Sequence, residues 1–564
     1  MPWAEALQQV LPSRTHLRNR AACTLFICIL GGLAAAQTST LPELRTAAAT
    51  MTPGNLLRHI RELSSDAYDG RLPGTSGEEK SVAYVISQIK SIGLQPGTPA
   101  GGFVQKVPLY GTRSRGSLAI TVSGEAIPMS PAEDFVLWSN LPDERIEVRD
   151  SDVVFAGYGV VAPEYKWNDY AGVDVKGKTV MVITGDPPVA DSGNSTKLDE
   201  RVFLGNALTV YGRTGTKLAT AFNHGAAAVL LIPPAEPLRY VWENNARENM
   251  TLRDGNERQQ LRAQALVSID KAATIFAAAG NDFEKARAAA AEPGFRAVVL
   301  SARVTITVTN HVRRFESQNI LAKIEGSDPT LKNEYVIYSG HWDHHGREGN
   351  RIFHGASDNA AGTAGVLELA RAFRTLNPAP KRTVIFFWPT AEEKGLLGAH
   401  YYVDHPLYPL AATVANINLD YFSNWGWGRT RDFSIVGIGN STMDDLTAEA
   451  VQRQGRTLTG DTAPEFGFYF RSDHYEFARV GVPSLETAPG VEYVGKPAGF
   501  GQQKRADYIA NDYHDASDVI KPDWDLLGAV EDLQILLEVG YRVAQQPERP
   551  TWKSDAVWRP RPSR

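Results

Sequence analysis

From about residue 315 onward, short apolar runs alternate with stretches of helical period, and this alternation limits the architectures open to the chain. Tyr335 to Ser339, Thr383 to Trp388, Val414 to Leu419, Phe433 to Val436 and Pro483 to Glu486 read as buried strands. Gly362 to Leu376 and Met443 to Gln454 lie between them, with apolar residues at helical spacing. Strands that are apolar on both faces and separated by helices pack as a parallel sheet covered on both sides. The expected fold class is therefore α/β, with a mostly parallel central sheet flanked by helices. A last helix is expected from about Trp524 to Ala544, followed by a loosely ordered Pro-rich tail, 546–564.

The rest of the chain has a different character. Residues 41–125 begin with two helical stretches, Leu56 to Leu63 and Val82 to Ile92, separated by the turn-rich Gly70 to Thr75. Residues 126–304 hold short β-branched runs, Asp152 to Phe155, Thr179 to Ile183 and Ala227 to Ile232, then an Ala-rich helix near Lys271 to Ala291. They read as a small β-rich domain with few helices and no cluster of metal-binding side chains. At the N-terminus Arg14, Arg18 and Arg20 precede the apolar run Ala21 to Leu33 and the small residues Ala34 to Ala36. This is the pattern of a signal peptide over 1–36, and it predicts export to a periplasm or to the extracellular space. Both cysteines, Cys23 and Cys28, fall inside it, so the remainder has no thiolate ligand and no disulfide. A net charge of −6 over 564 residues lacks the basic footprint of a dedicated nucleic-acid binder. Beyond the N-terminal run no stretch approaches the ~18 apolar residues of a membrane span, and no membrane association is expected after cleavage.

In open α/β sheets, ligands bind beyond the carboxyl ends of the strands. After the strand ending at Ser339 come His341 and Asp343, and Asp358 lies in the Gly355 to Gly362 turn that enters the next helix. Glu392 and Glu393 follow the strand ending at Trp388, Asp420 follows Leu419, and His514 stands in Asn511 to Asp518. Two imidazoles and several carboxylates, supplied by separate connections of one sheet, suit a pair of Zn²⁺ ions bridged by a carboxylate at ~3.5 Å. Adjacent residues in a loop point different ways, so one of the two glutamates is free to bind metal and the other to act as base. The absence of sulfur argues against a closed structural zinc site.

The motifs Ser339 to Gly346, Ser357 to Gly362, Glu392 to Gly398, Asn418 to Asp420 and Tyr513-His514 resemble the co-catalytic zinc aminopeptidase family. That family includes bacterial leucyl aminopeptidase, glutamate carboxypeptidase II, glutaminyl cyclases and the transferrin receptor. The resemblance covers 41–125 and 305–545 and implies a zinc exopeptidase fold, two zinc ions per chain and peptide substrates. It implies that Asp358 bridges both ions, that His341 and Asp420 complete one position, and that Glu393 and His514 complete the other. Glu392 would be the general base, Asp343 would orient His341, and Tyr469 would stabilise the oxyanion. Val154 to Gly159, Val175 to Lys178 and Lys217 to Ala228 resemble an inserted protease-associated domain over 126–304. The implied reaction is removal of N-terminal residues from peptides by a zinc-bridged hydroxide. Three alternatives stay open: a carboxypeptidase or dipeptidase using Arg471 or Arg429 to hold a carboxylate, a glutaminyl cyclase, and a non-catalytic binding protein. The aromatic-rich loops 421–432 and 488–510 are expected to shape the substrate pocket.

Overall fold

In the computed structural model, residues 41–235, 239–420 and 426–557 are described. The signal-peptide expectation falls on 1–36, and the first part of the 421–432 loop on 421–425, both outside the described residues. The first long helix, Pro53–Leu63, starts where the Thr52 side chain accepts the Asn55 N–H. Proline suits the first turn because the N–H it lacks has no partner there. Leu56, Ile60 and Leu63 repeat at helical spacing and are buried. Ser76–Ile92 is capped by Thr75 and ends at Gly93, whose φ of 81° is a left-handed conformation that favours glycine.

The main sheet includes, in chain order, β1 Val104–Val122, β2 Phe135–Trp138, β3 Arg145–Phe155, β4 Thr179–Ile183, β5 Ala228–Ile232 and β6 Ala263–Val267. They continue as β7 Val298–Ile324, β8 Tyr335–Ser339, β9 Thr383–Trp388, β10 Thr413–Asn418, β11 Asp432–Val436, β12 Thr457–Gly460 and β13 Ser484–Pro489. The spatial order of all but β1, which lies off this path beside β7, is β12-β11-β13-β10-β8-β9-β7-β3-β4-β5-β6-β2. β9, β8, β10 and β13 run parallel. Alternate residues of these strands serve different cores, as a period of two requires. Val336, Tyr338, Val384 and Phe386 pack in the cluster that holds helices Gly362–Arg374 and Leu527–Gln545. Ile337, Ile385 and Phe387 pack with Tyr402, Val403 and Phe477 on the other side. A fully buried aliphatic or aromatic side chain contributes about 1.5–3 kcal/mol, so this double layer fixes the strand ends firmly.

β1 and β7 pair antiparallel from Val104↔Ile320 to Val122↔Ala302. The far end of β7 joins β9 and its near end joins β3, so one sheet passes through both halves of the molecule. The segment beyond this ribbon holds more helices than the expected β-rich unit with few of them. β3, β4, β5 and β6 are mutually parallel, and four helices accompany them: Thr214–Asn223, Arg239–Ala246, Ile269–Ala278 and Phe283–Ala290. The reason is that β4 and β5 are buried throughout, which requires cover on both faces. The Ala-rich helix is broken in two near Gly280, at φ 74°.

The tail also departs from the expected disorder through residue 557. Buried Arg382 donates to the carbonyls of Val543, Gln546 and Pro547, and Trp552 Nε1 donates to Gly481 O. Among the described residues no helix is long and apolar enough to cross a membrane.

One glycine controls how closely the sheet meets its helix. A Cβ on Gly362 would lie 2.2 Å from both Leu419 O and Asn359 Oδ1. Gly362→Ala is therefore expected to destabilise the protein by about 1–3 kcal/mol, read as a lower urea midpoint. An unchanged midpoint would show that the helix shifts freely.

Candidate metal centre

The rim of the sheet assembles the expected residues, and all of the cluster but His514 lie just past a strand end or at a helix entrance. His341 follows β8 by two residues, Glu392 and Glu393 follow β9, and Asp420 follows β10 by two. Asp358 sits in the turn Ala356–Ala361 with non-helical angles, ahead of Gly362–Arg374. His514 comes three residues after the helix Phe500–Asn511. His341 Nε2 is 3.0 Å from Asp420 Oδ1 and 3.4 Å from Asp358 Oδ1. His514 Nε2 is 3.1 Å from Asp358 Oδ2 and 3.2 Å from Glu393 Oε2. Each oxygen of Asp358 thus faces a different imidazole. Donors bound to one zinc at about 2.0–2.2 Å stand roughly 3.3 Å apart. The two groups His341–Asp358–Asp420 and Asp358–Glu393–His514, built only of nitrogen and oxygen, fit such an ion by spacing and by chemistry.

The two adjacent glutamates lie in opposite electrostatic settings. Burial, ahead of the opposing pull of His341 and the repulsion from Asp420 and Glu393, pushes the Glu392 carboxyl well above its ordinary range. Burial acts the same way on Glu393, but His345, His514 and His344 outweigh it and hold that carboxylate well below. Burial also raises His341's neighbour Asp343, to about 7. Asp343 accepts the Glu392 N–H at 3.1 Å. Its carboxylate is 3.7 Å from His341 Nδ1, which lies nearer the Asp343 main-chain oxygen, at 3.2 Å. Asp343 therefore touches both His341 and Glu392.

Several neighbours of the cluster carried no assigned role in the sequence. Asp518 Oδ2 accepts the Asp358 N–H at 3.0 Å and so fixes the turn that aims this carboxylate. Its position four residues after His514 was the available signal. His344 Nδ1 and His345 Nε2 lie 2.5 and 3.1 Å from the Glu393 carboxylate. They belong to the His341 turn itself. Buried Arg71, from the Gly70 to Thr75 turn, donates to the carbonyls of Trp342, Leu63, His354 and Gly355.

A cleft of about 700 Å³ opens over the cluster. Asp358, Glu392, Glu393, Asp420 and His514 form its floor, and Trp138, Leu231, Leu266, Phe468, Arg471 and Tyr513 line its walls. Tyr469 is buried between Gly437 and His474 and is not on that wall. Tyr513 does face the cleft, stacked on His514 with ring centroids 3.8 Å apart, and its hydroxyl accepts from Arg471 Nη2 at 3.1 Å. Arg429, by contrast, pairs with Glu531 at 2.6 Å and is not among the lining residues. His474 lies 3.3 Å from Glu486 and joins neither ligand group.

The sheet and the cluster at its rim make an α/β fold with a strand-end group of metal-binding side chains. Residues 319–537 match the model of peptidase family M28. Over 92% of its length the chain superposes on all of an aminopeptidase from Aneurinibacillus sp. strain AM-1, with a TM-score of 0.50 at 18% identity, a likeness of fold. A vacuolar membrane protease of Vanderwaltozyma polyspora is 30% identical over 171 residues, covering 29% of this chain and 16% of that protein. Aminopeptidase NAALADL1 of Rattus norvegicus is 34% identical over 128 residues, covering 22% of this chain and 16% of that protein. The chain thus spans about a sixth of the length of these relatives.

The relatives also correct one expectation. Export to a periplasm or to the extracellular space is overturned by matches to vacuolar membrane proteases, here and in Saccharomyces cerevisiae. The physical reason is that basic residues ahead of an apolar run direct a chain to membrane-insertion machinery without selecting the final compartment.

Proposed function

We propose that the chain is a zinc-dependent exopeptidase, an aminopeptidase, that holds two zinc ions and removes N-terminal residues from peptides. The observation that carries this reading is Asp358, whose two oxygens face His341 and His514 separately. His341 and Asp420 would complete one position, and Glu393 and His514 the other. Zinc bound there supplies Lewis acidity and lowers the pKa of water from 15.7 toward ~7. Glu392, raised by burial and opening on the cleft, is the general base and then returns the proton to the leaving amine. Glu393, held anionic by three imidazoles, is the ligand. The opposite settings of neighbouring carboxyls support that division. Asp343 positions both His341 and Glu392. The residues 126–304 form an inserted domain, comparable to a protease-associated domain, that walls the cleft through Trp138, Leu231 and Leu266.

Tyr513, rather than Tyr469, is assigned the hydroxyl that stabilises developing negative charge on the scissile carbonyl. Tyr513→Phe is expected to lower kcat roughly a hundredfold with KM little changed. A loss under threefold would remove the assignment.

The activity is tested with two dipeptides, one blocked at the amine and one at the carboxylate, using the zinc-loaded protein. Cleavage of only the carboxylate-blocked substrate is expected. The opposite preference would favour a carboxypeptidase, a reading that Arg471 on the cleft wall would then serve. Release of ammonia from an N-terminal Gln peptide without cleavage would favour a cyclase.

A further inference from the structure

His514 is held by residues from the far side of the ribbon. Asn244, near the end of the helix Arg239–Ala246, donates its Nδ2–H to His514 Nδ1 at 2.7 Å. Arg247 Nη1 donates to Asn244 Oδ1 at 2.5 Å and reaches the His514 carbonyl at 3.5 Å. Arg247 is itself fixed, with Nη2 on Glu243 at 3.0 Å and the guanidinium 4.0 Å from the centre of the Phe353 ring. A guanidinium only donates hydrogen bonds. Arg247 therefore keeps the oxygen of Asn244 toward itself and the amide N–H toward the imidazole. The ring accepts at Nδ1 and so carries its proton on Nε2, toward Asp358 and Glu393. His514 also has a φ of 56°, a left-handed conformation that persists in a non-glycine residue where surrounding contacts enforce it.

We propose that Asn244, oriented by Arg247, is a positioning residue that sets the tautomer of His514 and makes the Asp358–Glu393–His514 position the weaker of the two cation sites. The proposal rests on the two-ion reading above. To bind an ion through Nε2, the ring must carry its proton on Nδ1, and that proton needs an acceptor. Asn244 provides one only by turning its amide over, which sets NH₂ against Arg247 and breaks their hydrogen bond. His341 meets no such obstacle, because its Nδ1 already faces the carbonyl of Asp343 at 3.2 Å. An aspartate at 244 would accept from Nδ1–H and still pair with Arg247.

The test is a Zn²⁺ titration of the full chain in competition with a chromophoric chelator, for the wild type and Asn244→Asp. Two ions are expected in the wild type, with dissociation constants at least tenfold apart. Asn244→Asp should tighten the weaker one by roughly 10–100-fold and leave the tighter one unchanged. In the metal-free wild type, ¹⁵N-labelled histidine, with His514 assigned from the His514→Gln variant, should show that ring protonated at Nε2. Two ions whose weaker constant moves less than twofold in Asn244→Asp, or a ring protonated at Nδ1, would overturn the inference alone. A wild-type stoichiometry of one or none would overturn the two-ion reading and this inference with it.

Discussion

Glu392→Gln is expected to lower kcat by about 10²–10⁴-fold while the protein keeps its full complement of zinc. The amide has the size of the carboxyl but cannot take a proton from water or return one to an amine. Glu392 is buried beside the cleft, 3.5 Å from His341 Nε2, and its N–H is anchored on Asp343. The loss therefore belongs to the chemical step and not to a shift of the loop. Glu393→Gln should do the reverse, reducing metal content first, because Glu393 is the carboxylate that the imidazoles hold anionic. Metal analysis alongside steady-state kinetics separates the two. A Glu392→Gln protein of near-normal kcat, or one depleted of zinc, would exchange or cancel these roles.

Arg71→Met carries the largest expected effect on stability. The guanidinium is fully buried and donates to four carbonyls at 2.6–2.9 Å, from three separate stretches of chain. Burial lowers its pKa to about 10, against the pull of Asp518, Asp343, Asp358 and Glu393, so it stays charged at neutral pH. Methionine fills similar space but leaves those carbonyls without donors and takes a buried cation away from the carboxylates. Removing one partner from such a buried charged network costs about 3–5 kcal/mol. Urea unfolding of the metal-free variant measures it, and a change under about 1 kcal/mol would contradict the estimate. Because Trp342 and Gly355 flank His341 and Asp358, zinc affinity should fall with stability.

The parts of this protein that were legible in its sequence are local in origin. His341, Glu392, Glu393 and Asp420 each lie within a few residues of a strand that is apolar on both faces, and a parallel sheet must bring such strand ends to one rim. Asp358 was marked by its place at a helix entrance. Contacts made across the chain left no such mark. Arg71 reads as one polar residue in a turn, since nothing nearby indicates that it will bond to carbonyls more than 270 residues away. Asn244 stands in a helix with no metal-binding pattern. The two tyrosines show a different limit. Tyr469 and Tyr513 both follow plausible motifs, and only packing sets them apart, Tyr469 buried against Gly437 and Tyr513 stacked on His514 at the cleft wall. The middle segment read as mainly β because its strands are short, whereas the burial of β4 and β5 on both faces requires helices.

The ribbon of β1 and β7 has a topological consequence. Because the chain leaves the sheet that carries the metal-binding cluster on one strand and returns on its hydrogen-bonded neighbour, the two junctions are adjacent in space, and a short hairpin turn between Val122 and Ala302 could rejoin them after excision of everything between. By connectivity the intervening residues are thus a detachable cassette. By side-chain contact they are not, since Asn244 and Arg247 reach back to His514. A shortened chain would retain the sheet and its strand-end residues but lose the imidazole's outer partner, so ancestry by insertion and present-day chemical dependence can coexist in one molecule.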